Sequence, residues 1–255
     1  MEITTAAIAA LCGGALEGTD AAVSTFVFDS RRAVNDPKAI FVALKGATRD
    51  GHDYVDKLRG RGIRNFIVSA DYRIAGLRSD ESFVKVNDTL AALQSVAAYM
   101  RGRFKGCVAA VTGSNGKTIV KEWIAALWSD RDKRLFVSPK SYNSQLGVAL
   151  SLTMCDGHED VSVIEAGISS PGEMARLEAM IRPDIAVITN IGEAHGAGFA
   201  SRADKLREKL TLAQDATAIV YPSDYREIDT ALRERYDSGR LFAWGYDDEA
   251  SLRII

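Results

Sequence analysis

Short apolar runs alternate with segments of helical periodicity along most of the chain. The apolar runs predict strands at Phe26–Phe28, Ala39–Leu44, Phe66–Ser69, Phe83–Val86, Val108–Val111, Leu135–Val137, Val161–Ile164, Ile185–Ile188, Ala218–Tyr221 and Leu241–Trp244. The periodic segments predict a short helix through Leu11 that is capped by Thr4 or Thr5, and a helix with apolar positions from Leu90 to Met100 that is capped by Asp88 or Thr89. They also predict helices at Tyr54–Arg61, Lys117–Trp128, Leu146–Met154, Glu173–Ile181 and Ser201–Gln214. Strands that alternate with helices in this way favour an α/β fold with a mostly parallel, doubly wound sheet.

The pattern divides the chain into two predicted domains, 1–86 and 87–255, with the boundary just before the helix that contains Leu90 and Leu93. The chain has 255 residues, of which 47% are hydrophobic, which is ordinary for a globular protein. Because 32 Lys and Arg balance 34 Asp and Glu, the composition predicts no general attraction to nucleic acid or to a membrane. An odd number of widely spaced cysteines predicts buried, reduced thiols, and the absence of a basic, apolar leader predicts a cytoplasmic protein.

The stretch from Val108 to Thr118 is the strongest chemical signal. An apolar run ends in the turn Gly113-Ser-Asn-Gly116, and Lys117-Thr118 then opens a helix. Such a turn can point backbone N–H groups and a helix N-terminus at a phosphate, with the lysine on the outer phosphates and the threonine on Mg²⁺. Val111 stands where the usual phosphate-binding loop has its first glycine, so an ordinary Ser-Asn-Gly turn is the alternative.

Other polar residues follow directly after predicted strands. Glu165 ends one strand, and Asn190 and His195 follow the next. Because parallel strands present their carboxyl ends at one edge of a sheet, we expect these groups to lie near Lys117. In the first domain, Asp29–Arg31 and Arg49–His52 also follow strands and are candidate ligand loops, with plain turns as the alternative.

Several motifs occur in the order found in one family. The segments concerned are Val111-Thr-Gly-Ser-Asn-Gly-Lys-Thr118, Asn143-Ser-Gln-Leu-Gly147, Glu165-Ala-Gly-Ile168, Thr189-Asn190 with His195, Asp29-Ser-Arg31 and Phe41–His52. Together they resemble the Mur ligases of peptidoglycan synthesis, and the run from Arg182 through Phe199 resembles the MurF type. The resemblance implies a small N-terminal α/β domain that binds a UDP-sugar, followed by a phosphate-binding-loop domain with a doubly wound, mostly parallel sheet that is incomplete at its C-terminus.

The resemblance also implies a role for each matching residue. ATP would be bound by Gly113, Ser114, Asn115, Gly116, Lys117, Thr118 and Asn190. Mg²⁺ would be held by Thr118 and Glu165, with a second ion near His195 and a carbamylated Lys209, and the catalytic set would be Lys117, Glu165, His195 and Lys209. The UDP-muramoyl-peptide would be held by Ser30, Arg31, Lys45, Gly46, Asp50, His52 and Asn143, with the γ-phosphate as the alternative contact of Asn143. Ser144 departs from the family pattern, in which a second Asn is frequent.

The implied reaction joins D-alanyl-D-alanine to UDP-N-acetylmuramoyl-tripeptide through an acyl phosphate made with ATP. Mur ligases use a third, C-terminal domain for the incoming dipeptide, so this chain is expected to bind substrates without turnover. Some relatives with similar loops are fused to alanine racemase. The alternatives are a MurE-like or folylpolyglutamate-synthase-like ligase, and a phosphate-binding-loop module without ligase activity.

Overall fold

The computed structural model describes residues 1–31, 35–46, 48–128, 132–192 and 198–255. By its internal contacts the chain divides into two compact units, Met1–Met100 and Arg101–Ile255, and each is described by itself. The three cysteines are free thiols, as predicted; Cys155 is buried, whereas Cys12 and Cys107 are only partly buried.

The first unit is built on a five-stranded mixed sheet. The unit as a whole has the strands β1 (Ile3–Thr4), β2 (Ala15–Gly18), β3 (Ala22–Val23), β4 (Thr25–Val27), β5 (Ala39–Val42), β6 (Asn65–Ser69) and β7 (Ser82–Val86). Its helices are α1 (Thr5–Leu11), α2 (Val55–Gly60) and α3 (Thr89–Arg103), the last of which continues into the second unit. The sheet order is β2-β7-β6-β5-β4, while β1 and β3 form a separate pair. Strands β4 to β7 are parallel, and β2 joins β7 in the antiparallel sense.

Aromatic rings form the centre of the core of the first unit. Phe66 stacks on Phe83 with ring centroids 4.9 Å apart, and Phe41 meets Phe66 edge to face at 6.5 Å. Val55 and Leu58 of α2 are fully buried against the same cluster. All four residues of β5 are buried, as expected for an inner parallel strand that is covered on both faces.

The second unit is a seven-stranded parallel sheet with helices on both faces. Its strands are β8 (Cys107–Thr112), β9 (Leu135–Val137), β10 (Val161–Glu165), β11 (Ile185–Ile188), β12 (Ala218–Pro222), β13 (Leu241–Gly245) and β14 (Leu252–Arg253), and its helices are α4 (Lys117–Leu127), α5 (Gln145–Met154), α6 (Glu173–Ile181), α7 (Arg202–Leu210) and α8 (Arg226–Arg235). The order of the strands is β14-β13-β12-β11-β8-β10-β9.

The two faces of this sheet have separate apolar clusters. Val120 and Ile124 of α4 pack on the face that includes Val111, whereas Leu206 of α7 and Leu232 of α8 pack in the cluster on the other face. Successive side chains of a strand point to opposite faces of the sheet, so the strands contribute residues to both clusters. This arrangement confirms the predicted doubly wound parallel sheet.

Strand β8 lies between β10 and β11, which brings three strand ends together. In the register of the sheet, Glu165 of β10 is opposite Val111 of β8, and Ile188 of β11 is opposite Thr112. The residues that follow these positions therefore share one edge, which is where open α/β sheets bind ligands. The predicted convergence of the turn after β8 with Glu165 and Asn190 is confirmed.

Candidate functional site

The turn between β8 and α4 has a backbone that favours glycine at two positions. Gly113 has a φ of 150°, and a Cβ built there would lie 1.9 Å from Thr189 Oγ1. Gly116 has a φ of 79° and is the N-cap of α4, with no side chain capping the helix. The N–H groups of the first turn are thus left to a ligand, and the positive end of the helix dipole adds to their attraction for an anion.

Lys117 folds back across this turn. Its Nζ donates to the carbonyl oxygens of Gly113, at 2.9 Å, and Ser114, at 3.4 Å. Burial lowers the pKa of this lysine, the charge of Glu165 acts in the opposite direction, and the charge of Lys205 lowers the pKa further. The lysine therefore sits beside the anion-binding N-terminus of α4, where its charge would be neutralised by a phosphate.

The Glu165 carboxylate is almost fully buried and is held from two sides. Thr118 Oγ1 donates to Glu165 Oε2 at 2.8 Å, and Asn143 Nδ2 donates to Glu165 Oε1 at 2.7 Å. Its backbone N–H donates to Ser138 Oγ at 3.1 Å. Two of the predicted ligands, Thr118 and Glu165, are therefore in direct contact, and predicted substrate residue Asn143 orients the carboxylate.

Asn190 and Thr189 fix the shape of the phosphate-binding turn. Asn190 Oδ1 accepts from the Asn115 N–H at 3.1 Å, and the Asn190 carbonyl accepts from the Ser114 N–H at 2.8 Å. Thr189 Oγ1 donates to the Asn115 carbonyl at 2.6 Å. The end of β11 thus supports the turn through side chains and backbone alike.

Lys209 is buried on α7, with a side chain that reaches the same turn. Only 2% of the residue is exposed, and its Nζ donates to the Gly113 carbonyl at 3.1 Å. Burial lowers the pKa of Lys209 to about 7, and the nearby charges of Lys117 and Lys205 act in the same direction. A large share of this amine is consequently neutral near pH 7, which is the nucleophilic form of a lysine.

Oxygen donors of the kind that Mg²⁺ prefers are present beside the turn. A threonine hydroxyl and a carboxylate, Thr118 and Glu165, meet next to a helix N-terminus suited to phosphate, and Mg²⁺ in nucleotide sites uses one or two such groups together with phosphates and water. Within the described ranges, no group of three or more His, Cys, Asp or Glu could hold a metal by itself. These residues therefore fit a phosphate-bound Mg²⁺ better than a metal held by the protein alone. His195 lies outside the described residues.

In the first unit, Asp50 and His52 are joined to one another and to the sheet. His52 Nδ1 lies 2.5 Å from Asp50 Oδ1, and the Ser69 N–H donates to His52 Nε2 at 2.9 Å. Since Nε2 accepts, the ring proton is on Nδ1 and is donated to the carboxylate. The pKa of Asp50 is lowered, first by the backbone N–H of His52. This pair closes the loop that Lys45 begins, through a bridge between Lys45 and Asp50.

The loop after β4 has a more exposed arrangement. Arg31 Nε and Nη2 donate to the two carboxylate oxygens of Asp29 at 2.9 and 2.8 Å, while the Arg31 side chain stays 81% exposed. The Ser30 carbonyl accepts from Arg61 Nη1 at 3.2 Å, and the Gly46 N–H donates to the Arg49 carbonyl at 2.9 Å. The predicted residues of these two loops are thus ordered by local bonds, with the Arg31 guanidinium facing solvent.

Sequence reasoning missed two groups around Glu165 and the capping role of Ser144. Ser138 accepts the Glu165 N–H, and Lys121 is fully buried 3.9 Å from Glu165 Oε2. The only available signal for Lys121 was its spacing, since three and four residues separate it from Thr118 and Lys117 on one helix face. Ser144, which departs from the family pattern, caps α5 by accepting the Gly147 N–H at 3.2 Å.

In the described part of the chain, no helix combines the length and apolarity that crossing a membrane requires.

Comparisons with known proteins place the chain among the Mur ligases. The family model of the Mur ligase middle domain matches residues 111–251. The UDP-N-acetylmuramoyl-tripeptide–D-alanyl-D-alanine ligase of Escherichia coli K12 is 32% identical over 209 residues, which cover 82% of this chain and 44% of that protein.

Solved structures match both units. A crystal structure of MurF from Acinetobacter baumannii has a TM-score of 0.81 and 26% identity, and the match covers 96% of this chain and 54% of that one. MurF from Thermotoga maritima in complex with ADP gives a TM-score of 0.76 at 26% identity, over 88% of this chain and 51% of that one. The chain spans about half the length of these relatives. It belongs to the Mur ligase family, and within that family it is of the MurF type.

Proposed function

We propose that this chain is the part of a peptidoglycan ligase that binds UDP-N-acetylmuramoyl-tripeptide and ATP. In a polypeptide of the relatives' length, the reaction would join D-alanyl-D-alanine to the tripeptide. The observation that carries the proposal is the contact of Thr118 with Glu165 beside the N-terminus of α4, at the same sheet edge as Lys117 and Lys209. The ADP complex of the T. maritima relative supports ATP as the nucleotide.

The proposed reaction has two steps with a defined balance of groups. A carboxylate oxygen of the tripeptide attacks the γ-phosphorus of ATP, so that an acyl phosphate forms and ADP leaves. The amine of D-alanyl-D-alanine then attacks the acyl carbon, phosphate leaves with the bonding electron pair, and the amine loses a proton. Both steps gain from holding the reactants in line and from neutralising phosphate charge.

The residues of the second unit would supply that positioning and charge. The N–H groups of the turn from Gly113 to Thr118 would bind phosphate, and Lys117 would move from its present carbonyl partners to the outer phosphates. Thr118 and Glu165 would hold Mg²⁺, which supplies charge neutralisation for the phosphates when bound. Asn190 would keep the turn in shape for ATP, and Asn143 would orient Glu165 and face the peptide substrate.

Lys209 would act in a modified form. Its low pKa makes the neutral amine available near pH 7, and the nitrogen of a neutral amine can attack carbon dioxide and release one proton to give a carbamate. The carbamate oxygens would turn a buried positive charge into an anionic ligand suited to a second Mg²⁺, together with His195. The fit is favourable in charge, because Lys117 and Lys205 both repel an ammonium at this place.

The first unit would bind the UDP-sugar through the loops that contain Ser30, Arg31, Lys45, Gly46, Asp50 and His52. The Arg31 guanidinium is paired with Asp29 but 81% exposed, and it would bind a phosphate or a carboxylate through its remaining N–H donors. His52 and Asp50 are already bonded to each other, so their proposed contribution is to hold the loop shape. We propose residues 1–86 and 87–255 as the two functional domains. We also propose a fusion to alanine racemase, as the resemblance of these loops to such relatives implies.

The decisive experiment measures ADP release by a polypeptide of the relatives' length that contains this chain. ADP formation is expected only when both UDP-N-acetylmuramoyl-tripeptide and D-alanyl-D-alanine are present. ADP formation that does not require the two co-substrates would contradict the MurF-type activity and favour a nucleotide-hydrolysing module. A requirement for a different amino acid or a folate would favour another ligase of the superfamily.

A further inference from the structure

Lys121 is the buried lysine that the proposed function does not use. It lies on α4, three residues beyond Thr118, and its exposure is 0%. Its Nζ donates to the Ser138 carbonyl at 2.7 Å and also to the Lys140 carbonyl. A buried ammonium is costly unless its protons are bonded and its charge is paired, and here two carbonyls and the carboxylates of Glu122, at 3.2 Å, and Glu165, at 3.9 Å, surround it.

The segment that Lys121 binds is the one that orients Glu165. This segment, residues 138–143, connects β9 to the start of α5. At one end Ser138 Oγ accepts from the Glu165 N–H, and at the other end Asn143 donates to the Glu165 carboxylate. The Asn143 carbonyl also accepts from the Gly167 N–H at 2.8 Å. The position of the Glu165 carboxylate is therefore set by where this segment lies.

The backbone of the segment is held in an unfavourable conformation at the point of contact. Lys140 has a φ of 50°, in the left-handed region that non-glycine residues rarely adopt. Its carbonyl nevertheless points at the Lys121 ammonium. Backbone of this kind persists where surrounding contacts fix it, and the buried ammonium is such a contact.

We propose that Lys121 is a positioning residue for the metal-binding carboxylate. Its ammonium ties the phosphate-binding helix to the 138–143 segment, and through that segment it holds Glu165 against Thr118. The relation to Mg²⁺ rests on the proposed function, whereas the tie between helix and segment is a property of the chain itself. The exposed pair with Glu122 contributes little, because that carboxylate is 58% exposed.

The first test compares Lys121→Met with the matched control Glu122→Gln. Calorimetric titrations with ATP, with and without Mg²⁺, give the factor by which Mg²⁺ strengthens nucleotide binding. Removing a group that orients a metal ligand weakens metal binding by about 10–100-fold, so we expect this factor to fall by that amount in Lys121→Met. Metal-free ATP binding is expected to stay as in the wild type, because Lys117 and the turn are intact. An unchanged factor in Lys121→Met, or an equal loss in Glu122→Gln, would overturn the proposal.

The second test requires no nucleotide. Hydrogen exchange is measured by mass spectrometry on peptides that contain the amides of Glu165 and Gly167, which are bonded to Ser138 and Asn143. These amides are expected to exchange faster in Lys121→Met and unchanged in Glu122→Gln, with the amides of β8 protected in both. If these amides are as well protected in Lys121→Met as in the wild type, the positioning role of Lys121 is overturned, whether or not ATP binds. If the wild type fails to bind ATP, the proposed function is contradicted instead.

A third variant covers the case in which Lys121→Met does not fold. Lys121→Gln keeps one donor for the Ser138 carbonyl and removes the charge. We expect it to fold and to show faster exchange at Glu165 and Gly167, with a smaller change than the methionine would give. Protection equal to that of the wild type would again refute the positioning role.

Discussion

Replacement of Lys209 by methionine tests the environment of the buried amine directly. The residue is 2% exposed, and its ammonium would be buried close to the charges of Lys117 and Lys205. Lys209→Met keeps most of the volume and removes the ionisable group. The variant loses the hydrogen bond to the Gly113 carbonyl, at a cost of about 1 kcal/mol that does not depend on pH.

The lowered pKa of Lys209 gives the free-energy cost of burying its ammonium. A fall from the ordinary 10.5 to about 7 corresponds to about 5 kcal/mol, at about 1.4 kcal/mol for each pH unit. Below about pH 7 the lysine is protonated in the folded and unfolded states alike, so the folded state bears the full cost of burying the charge. Between about pH 7 and 10.5 the folded state has released the proton that the unfolded state still holds, so wild-type stability rises with pH.

The assay is urea unfolding of wild type and Lys209→Met from pH 6.5 to 9.5, in metal-free buffer without carbon dioxide. We expect the variant to be the more stable protein at the lowest pH, and the difference to shrink by several kcal/mol as the pH rises. Lys105→Met, at an exposed position of the same unit, is the control and should run parallel to the wild type. If the Lys209→Met curve also runs parallel to that of the wild type, the buried amine has an ordinary pKa and its burial does not destabilise the folded state.

Two further predictions concern the turn and the first unit. Gly113→Ala forces a Cβ against Thr189 and should abolish ATP binding and destabilise the fold by about 1–3 kcal/mol, whereas Gly239→Ala, with open space around it, should leave binding unchanged in a calorimetric titration. Equal binding by both variants would contradict the close approach at Gly113. Glu81→Gln removes the buried charge partner of Arg59, which keeps its pair with the exposed Asp56 carboxylate, and should cost about 3–5 kcal/mol in urea unfolding, against at most about 1 kcal/mol for Asp80→Asn at an exposed pair. Similar losses for the two variants would show that burial does not strengthen the first pair.

The fold was predictable where apolar positions repeat clearly. Strand Val161–Glu165 is a short buried apolar run, and helix Thr89–Arg103 repeats buried apolar residues such as Leu93, Val96 and Met100 at helical spacing. Helix α8 was missed because only Ile228 and Leu232 are buried among ten mostly charged residues. Strand β2 was missed because an exposed edge strand with glycine and glutamate has no apolar alternation.

The candidate site was predictable only in part, because its contacts are not local. The sequence indicated Lys117, Thr118 and Glu165 because each follows a strand that ends at one sheet edge. The bonds that Asn143 and Ser138 make to Glu165 join residues 22 and 27 positions apart, and no spacing rule predicts them. The burial of Lys121 depends on a loop conformation at Lys140 that only the folded structure shows.

Calorimetry on the chain and its Lys117→Ala variant shows whether the protein has two separate substrate sites, of which one depends on the turn after β8. UDP-N-acetylmuramoyl-tripeptide and ATP with Mg²⁺ are titrated separately into each protein. The wild type is expected to bind both ligands, and Lys117→Ala is expected to bind the UDP-peptide with unchanged affinity and to lose ATP binding. ATP binding of equal strength in the variant, or loss of both ligands together, would contradict this expectation.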